Sequence, residues 1–295
     1  MTQILFNLIF RLLSGFPLPW LHRLGALLGR ITYASSKPYA ARMRENLRQS
    51  HLAENEAHYA ALIKQTVAES GKGMIELPWI WGRPYEHVCA TVRNCQGWEH
   101  VDAARARGKG IIFLTPHWGC FEMTSLYIAQ YLPLTNLYST PKLDWVETAM
   151  RSGRERGLAR LATADMSGVR LLFKALKRGE AIGLLPDQVP SQGEGEWVDF
   201  FGRPAYTMTL GGRLAESSGA AVLLVYAERL PHGTGYKLNF EPLPLDFSKS
   251  VPLQINAALE RVIAVSPAQY LWSYNRYKVP PGVQPPDAVK AHASC

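Results

Sequence analysis

Three short, almost wholly apolar runs constrain this chain more than any other feature: Gly110-Ile-Ile-Phe-Leu-Thr115, Ala181-Ile-Gly-Leu-Leu185 and Ala220-Ala-Val-Leu-Leu-Val-Tyr226. Each is too short for a helix and lacks the polar alternation of a half-exposed strand, so each predicts a strand covered on both faces. Segments of helical spacing surround them. Gly97 to Arg107 precedes the first run, Trp118 to Tyr131 follows it, Val169 to Arg178 precedes the second and Leu210 to Ser218 the third. Fully buried strands alternating with helices predict an α/β fold with a mainly parallel sheet flanked by helices. Tyr236-Lys-Leu-Asn-Phe-Glu241 alternates and predicts a further strand nearer the sheet edge, and Leu253 to Val265 predicts a closing helix. Ala57, Ala60, Ala61, Ile63, Val67 and Met74 recur at helical spacing over 54–77, which predicts an amphipathic helix ending before Pro78.

The N-terminus reads differently. From Ile4 to Leu28, 16 of 25 residues are apolar, but Arg11, His22 and Arg23 interrupt the run and Pro17 and Pro19 lie within it. A clean membrane span needs roughly 20 mostly apolar residues. A secretory signal carries its positive charge before the apolar core rather than inside it. The neighbouring segment 37–48 adds Lys37, Arg42, Arg44 and Arg48 against Glu45. Basic residues beside an apolar segment gain about 1 kcal/mol each near an anionic cytoplasmic leaflet. We therefore expect residues 1–35 to be a membrane-associated segment, spanning or lying on the bilayer, with a plain helical hairpin as the alternative. Residues 36–278 then form the main domain. The stretch 279–295, with Pro280, Pro281, Pro285, Pro286 and few apolar residues, reads as a disordered tail.

A chain of 295 residues that is 47% hydrophobic excludes disordered and collagen-like classes. Its balance of 32 Lys and Arg against 24 Asp and Glu, net +8, favours an anionic partner: nucleic acid, a phosphorylated substrate or an acidic lipid surface. The basic residues do not interleave with aromatics as in nucleic-acid modules, so no nucleic-acid partner is expected. Cys89, Cys95, Cys120 and Cys295 show no Cys-x-x-Cys pair and no zinc spacing, which argues against a metal site or disulfide framework and for a reducing compartment. No glycine-rich phosphate loop signals a nucleotide cofactor.

Open α/β sheets present ligands at the carboxyl ends of their strands. The first apolar run ends in Thr115-Pro-His-Trp-Gly-Cys-Phe-Glu122. His117 is a candidate general base, and Glu122 a candidate carboxylate to fix its tautomer and stabilise the imidazolium. Positions five apart on one helix diverge by about 140°, so the two meet only if His117 lies in a loop or first turn. Pro116 and Gly119 make that break. Arg151 and Arg154 would share a helix face, and paired guanidinium groups chelate phosphate. After the second run stand Asp187 and Gln188, either presenting a ligand or ordering the loop. Cys120 opens an alternative, a thiol hydrolase, although a cysteine beside Phe121 is by default a buried one.

These motifs carry a resemblance. Gly97-Trp-Glu-His100, Gly108-Lys-Gly-Ile-Ile112, His117-Trp-Gly-Cys-Phe-Glu122, Leu185-Pro-Asp-Gln188, Phe200-Phe-Gly-Arg-Pro-Ala205 with Thr207, and Gln269-Tyr-Leu-Trp-Ser-Tyr-Asn-Arg-Tyr-Lys278 resemble the bacterial late acyltransferases of lipid A biosynthesis, of the lauroyl or myristoyl type. The likeness runs from the N-terminal apolar segment to Lys278. It implies a glycerolipid-acyltransferase-like fold at the cytoplasmic face of the bacterial inner membrane. It also implies an enzyme that moves a fatty acyl chain from acyl carrier protein to a hydroxyl of a Kdo-bearing, phosphorylated glucosamine disaccharide. His117 would be the base and Glu122 its partner. An arginine of the run 151, 154 and 156 would meet substrate, Arg154 matching the pattern best and Arg151 second, with Asp187 and Gln188 nearby. A thioester is already activated, so neither metal nor cofactor is implied. Backbone N–H groups at the start of the following helix would receive the oxyanion. Trp197-Val-Asp-Phe-Phe201 would line an acyl groove or pack back on the core. A lysophospholipid or another glycolipid is the alternative acceptor.

Overall fold

The computed structural model describes residues 2–287. Four helices come first: α1 (Thr2–Gly15), α2 (Leu18–Ser35), α3 (Lys37–Gln49) and α4 (Glu56–Gly82), followed by the short α5 (Tyr85–Cys89). Alternating elements follow: β1 (Val92–Gln96), α6 (Trp98–Ala106), β2 (Ile111–Leu114), α7 (Phe121–Ile128), β3 (Leu134–Tyr138), α8 (Asp144–Arg154), β4 (Ala159–Thr163), α9 (Met166–Lys177) and β5 (Ala181–Leu184). A hairpin of β6 (Gly195–Phe200) and β7 (Arg203–Met208) then leads to α10 (Leu210–Ser218), β8 (Ala221–Arg229), β9 (Tyr236–Pro242) and α11 (Val251–Val265). Prolines sit in the first turns of α2, α3 and α11, where their missing N–H has no intrahelical acceptor to lose.

Seven strands make one sheet in the order β1-β9-β8-β2-β5-β3-β4, with β6 and β7 forming a separate ribbon. β8, β2, β5, β3 and β4 run parallel, while β9 is antiparallel to β8 and β1 is parallel to β9. The expected mainly parallel α/β sheet is therefore present, as a mixed sheet. Successive strand residues face opposite sides. Ile112 and Leu114 enter one buried cluster with Leu176, Ile182, Leu224 and Leu259, whereas Ile111 and Phe113 enter the other with Val101, Met123, Leu126 and Phe240.

β9 lies near the edge, as its alternation predicts, with the polar strand Val92-Arg-Asn-Cys-Gln96, invisible to a hydropathy reading, pairing outside it. Two local expectations are corrected. α4 runs through Pro78 to Gly82. The helical bond that Pro78 cannot donate would go to the carbonyl of Met74, and the helix continues for four residues past the proline without it. α7 begins at Phe121 rather than Trp118, because Gly119 takes positive φ (57°) and residues 115–120 form a loop. Of the stretch read as a tail, Gly282 and Gln284 offer their carbonyls to Gln192 Nε2 (2.9 Å) and Trp197 Nε1 (3.0 Å). Residues 288–295, Cys295 included, lie outside the described residues.

Two devices join the N-terminal helices to one another and to the sheet. Gly25 and Gly29 of α2 lie so close to Gly71 of α4 that a Cβ on any of them would collide with the facing backbone. Beyond this contact lies a buried ionic cluster. Arg229, 4% exposed at the end of β8, donates to Glu76 of α4 from Nε (3.1 Å) and Nη2 (2.5 Å), and to Glu69 from Nη1 (2.8 Å). Its Nη2 also donates to the carbonyl of Gly119 (2.9 Å). His22 Nε2 on α2 lies 3.1 Å from Glu76 Oε2, and the Tyr236 hydroxyl donates to the same oxygen (3.1 Å). Burial alone would push the Glu76 carboxyl up, but Arg229 and His22 outweigh it and pull the group down to about 2.

A carboxyl depressed in the folded state stabilises the fold above its unfolded pKa, and the contribution is lost as pH falls through the folded value. Glu76→Gln is therefore expected to destabilise the protein at neutral pH by about 3–5 kcal/mol, because it leaves Arg229 buried with its main partner gone. The gap from wild type should close as pH falls from about 4.5 towards about 2. Denaturant unfolding across that range checks this; a gap independent of pH would show that Glu76 is not the charged member.

Candidate active site

The site follows from strand register. β2 and β5 are parallel neighbours with Leu114 paired to Leu184. Both chains leave the sheet there through a residue and a proline, Thr115-Pro116 and Leu185-Pro186, so the third residues past the pair, His117 and Asp187, emerge side by side. The Thr115 N–H donates to the Leu184 carbonyl (2.9 Å) and continues the alignment one step beyond the strands. Asp187, 2% exposed, accepts from His117 twice: Oδ1 from the ring Nδ1 at 2.7 Å and Oδ2 from the backbone N–H at 2.8 Å. Burial favours the neutral acid, yet the facing imidazole, these two bonds and nearby Arg276 hold the carboxyl below the usual carboxylate range. An ionised Asp187 fixes the proton of His117 on Nδ1 and leaves the Nε2 lone pair as an acceptor. Gln188 Nε2 lies 3.1 Å from that atom. His117 is thus a partly exposed imidazole, oriented by a buried carboxylate, at the carboxyl end of the sheet.

The loop bearing His117 is latched along its length. The His117 carbonyl accepts from Leu271 N–H (3.1 Å), the Trp118 indole donates to the Ser266 carbonyl (2.9 Å), and Gly119 N–H donates to the Gln269 carbonyl (3.0 Å). Cys120 N–H donates to the Ala227 carbonyl (2.9 Å), and Arg229 holds the Gly119 carbonyl. A Cβ at position 119 would collide with the Ala227 oxygen, so glycine is required there. The Trp118 N–H turns to Pro116 (2.7 Å). The amides of 118, 119 and 120 are therefore committed to carbonyls of this chain and cannot serve an oxyanion. The segment 269–278 is itself tied down by Asn46 of α3, which donates to the carbonyls of Trp272 and Tyr274, and by Arg276, 2% exposed, which donates to Tyr206 O and Thr207 Oγ1.

Glu122 does not meet His117. It lies in the first turn of α7 and its carboxylate is gripped by Arg154, the last residue of α8, through Nε (2.9 and 3.1 Å) and Nη2, with the Trp81 indole donating at 3.1 Å. The expected pairing of 117 with 122 fails because the loop and the helix aim the two side chains at different neighbours. The expected phosphate clamp is likewise not assembled. Arg154 is engaged with Glu122 and, through Nη1, with Met150 Sδ (3.0 Å), while Arg151 bonds the Tyr138 hydroxyl (2.9 Å) and Glu155 (2.8 Å). Arg156 donates to the carbonyls of Ile80, Arg83 and Gly153 and secures the end of α4.

Cys120 is 2% exposed, and its thiol is pushed well up by burial and by Glu76, the opposite of what a nucleophilic thiolate needs. Of the aromatic run, Phe200 is core, 1% exposed and packed against Tyr270 and Tyr277, while Trp197 leans on Tyr206. Among the described residues no group of three or more His, Cys, Asp or Glu side chains is gathered as a metal site requires. Sequence reasoning missed the direct link between Asp187 and His117 and the latching role of Gln269, Leu271 and Arg229. The matched spacing of Pro116 and Pro186 after their strands was the available signal for the first.

With this geometry established, relatives can be compared. A family model described as bacterial lipid A biosynthesis acyltransferase matches residues 1–279. Over 278 residues the chain is 27% identical to the lipid A biosynthesis lauroyltransferase of Escherichia coli (strain K12), covering 92% of this chain and 89% of that one. It is 25% identical over 273 residues to the lipid A biosynthesis palmitoleoyltransferase of the same organism, covering 90% and 87%. A lipid A biosynthesis acyltransferase of Haemophilus influenzae matches at 28% over 184 residues, 60% of this chain and 56% of that one. A family match along almost the whole sequence, with a carboxylate-oriented histidine at a strand end, places the chain plainly: it belongs to the bacterial lipid A biosynthesis acyltransferases.

Proposed function

We propose that this protein transfers a fatty acyl chain from the thioester of acyl carrier protein to a hydroxyl of a Kdo-bearing lipid A precursor, with His117 as general base and Asp187 as its orienting carboxylate. The observation that carries the reading is the two-point contact of Asp187 with His117, which leaves Nε2 as the acceptor. The acceptor hydroxyl gives its proton to Nε2 as its oxygen attacks the thioester carbonyl carbon. When the carbon–sulfur bond breaks, the imidazolium returns the proton to the departing sulfur. The first-turn amides of α7, at Phe121 and Glu122, have no intrahelical acceptor, and α7 opens at Phe121, whose ring is 4.8 Å from that of His117, so we assign these amides to the oxyanion. Arg151, with a side chain 40% exposed against 23% for Arg154, is the arginine we assign to the acceptor's phosphate. The two Escherichia coli relatives are named for acyl chains of different length, so chain length is not part of the proposal.

His117→Ala should lower transfer by about 100- to 10,000-fold in folded protein, the usual cost of losing a general base. Asp187→Asn, which keeps the shape but not the charge that selects the tautomer, should fall within the same range. A steady-state transfer assay decides, and Asp187→Asn within threefold of wild type would remove Asp187 from the mechanism.

Glu122 is assigned to structure. Removing one member of a buried ion pair leaves the other uncompensated, and Arg154 is partly exposed, so Glu122→Gln should cost about 2–3 kcal/mol of stability. Adding Arg154→Met should restore part of that loss, with transfer by the double variant within tenfold of wild type. A double variant as stable as wild type but inactive would return Glu122 to the chemistry.

The membrane reading rests on α1 and α2. Leu8 and Leu12 of α1, Phe16 between the helices, and Trp20, Leu24 and Leu28 of α2 are each at least 36% exposed, so each helix presents an apolar face at intervals of four. Among the described residues no helix is long and apolar enough to cross a membrane. We assign α1 and α2 to the cytoplasmic face of the inner membrane, lying in the interface with Arg11, Arg23 and Arg30 towards anionic headgroups. Leu12→Glu with Leu24→Glu should sharply reduce co-sedimentation with phosphatidylglycerol vesicles without lowering Tm. It should also cost more activity on bilayer-embedded acceptor than on detergent-dispersed acceptor. Undiminished vesicle binding by this variant would move the membrane contact elsewhere.

A further inference from the structure

Asp187 and Gln188 are consecutive residues that take the two nitrogens of one imidazole. Asp187 holds Nδ1–H, so Nε2 is the sole ring acceptor and the atom that must receive the acceptor's proton. The carboxamide nitrogen of Gln188 lies 3.1 Å from it, and an amide N–H is a donor, so the lone pair needed for chemistry is already occupied by this chain's own side chain. We infer that Gln188 is a displaceable cap that withholds the catalytic base from water until the acceptor hydroxyl replaces it. The inference rests on the assignment of His117 as base.

The local structure suits such a cap. Main chain is fixed on both sides of Gln188: Asp187 is bound to His117 at two points, and the Val189 N–H donates to the Tyr274 hydroxyl (2.9 Å). Gln188 itself is only partly buried, so rotation of its side chain frees Nε2 without moving backbone. Water and the acceptor compete unequally for the place. A water that displaces the carboxamide exchanges one hydrogen bond for another of similar worth. A lipid-linked sugar brings binding energy from atoms remote from the reacting hydroxyl.

The guarded side reaction is hydrolysis of the donor thioester. Water would give a proton to Nε2 while its oxygen attacks the carbonyl carbon, the carbon–sulfur bond would break, and the imidazolium would return the proton to sulfur, yielding a free fatty acid and a thiol. A single neutral hydrogen bond shifts such a competition by about 2- to 10-fold.

The test uses full-length Gln188→Ala and Gln188→Met, the second keeping the bulk of glutamine without its donor. Hydrolysis of lauroyl-acyl carrier protein is measured without acceptor, and transfer with a Kdo-bearing lipid A precursor in detergent. In parallel, diethyl pyrocarbonate, which modifies an imidazole through a free lone pair, is used to label His117, read by peptide mass spectrometry. Both variants should hydrolyse the thioester about 2- to 10-fold faster than wild type and label His117 faster by a similar factor. Unchanged hydrolysis and labelling in folded Gln188→Met would overturn the cap, as would a matched fall in hydrolysis and transfer with unchanged labelling. Wild-type protein that hydrolyses the thioester but never acylates the acceptor would overturn the acyl-transfer reading instead, and the labelling would still judge the cap.

Discussion

Arg229 brings a positive charge into the interior at the end of β8, and much of the molecule is arranged around neutralising it. Two carboxylates on α4, Glu69 and Glu76, supply the counter-charge, and the second also meets His22 of α2 and Tyr236 of β9. Since Arg229 Nη2 reaches the Gly119 carbonyl as well, one guanidinium and its carboxylates tie together α2 and α4, the antiparallel strand β9 and the loop that carries His117. An apolar residue of similar size could fill the space but could not fix those three parts in one relative position. The charge costs desolvation, which four hydrogen bonds and two anions offset.

On this frame the meeting of His117 with Asp187 depends on strand register rather than on local sequence. His117 and Asp187 are 70 residues apart, yet both stand three residues beyond a register pair of neighbouring parallel strands. Glu122, five residues from His117, turns away because α7 starts between them. Nearness along the chain is a poor guide where a loop gives way to a helix, whereas equal distance from a paired strand end is a good one.

The same contrast explains what could be read in advance. β2, β5 and β8 were legible because strands buried on both faces are apolar throughout. β1, β3 and β4 interrupt their apolar residues with Arg93, Asn94, Thr135, Asn136 and Arg160, so none is an unbroken apolar run, and their strand character comes from pairing with neighbouring strands. His117 was legible from Pro116 and Gly119, which forbid a helix there. The latches at Gln269 and Leu271 were not, because a backbone carbonyl or amide leaves no trace in side-chain identity, and that at Arg229 was not, because its guanidinium meets a carbonyl far away in sequence.

The hold on the His117 loop by residues far along the chain makes its geometry a property of the completed sheet. Asp187, Arg229, Gln269 and Leu271 all follow His117 in sequence, and each supplies one of the contacts that fix the ring or the loop. A chain that had folded only α2, α4 and β2 would hold His117 with neither its ring partner nor its loop contacts in place. The tautomer and position of the imidazole therefore belong to the assembled sheet and not to the strand that bears it.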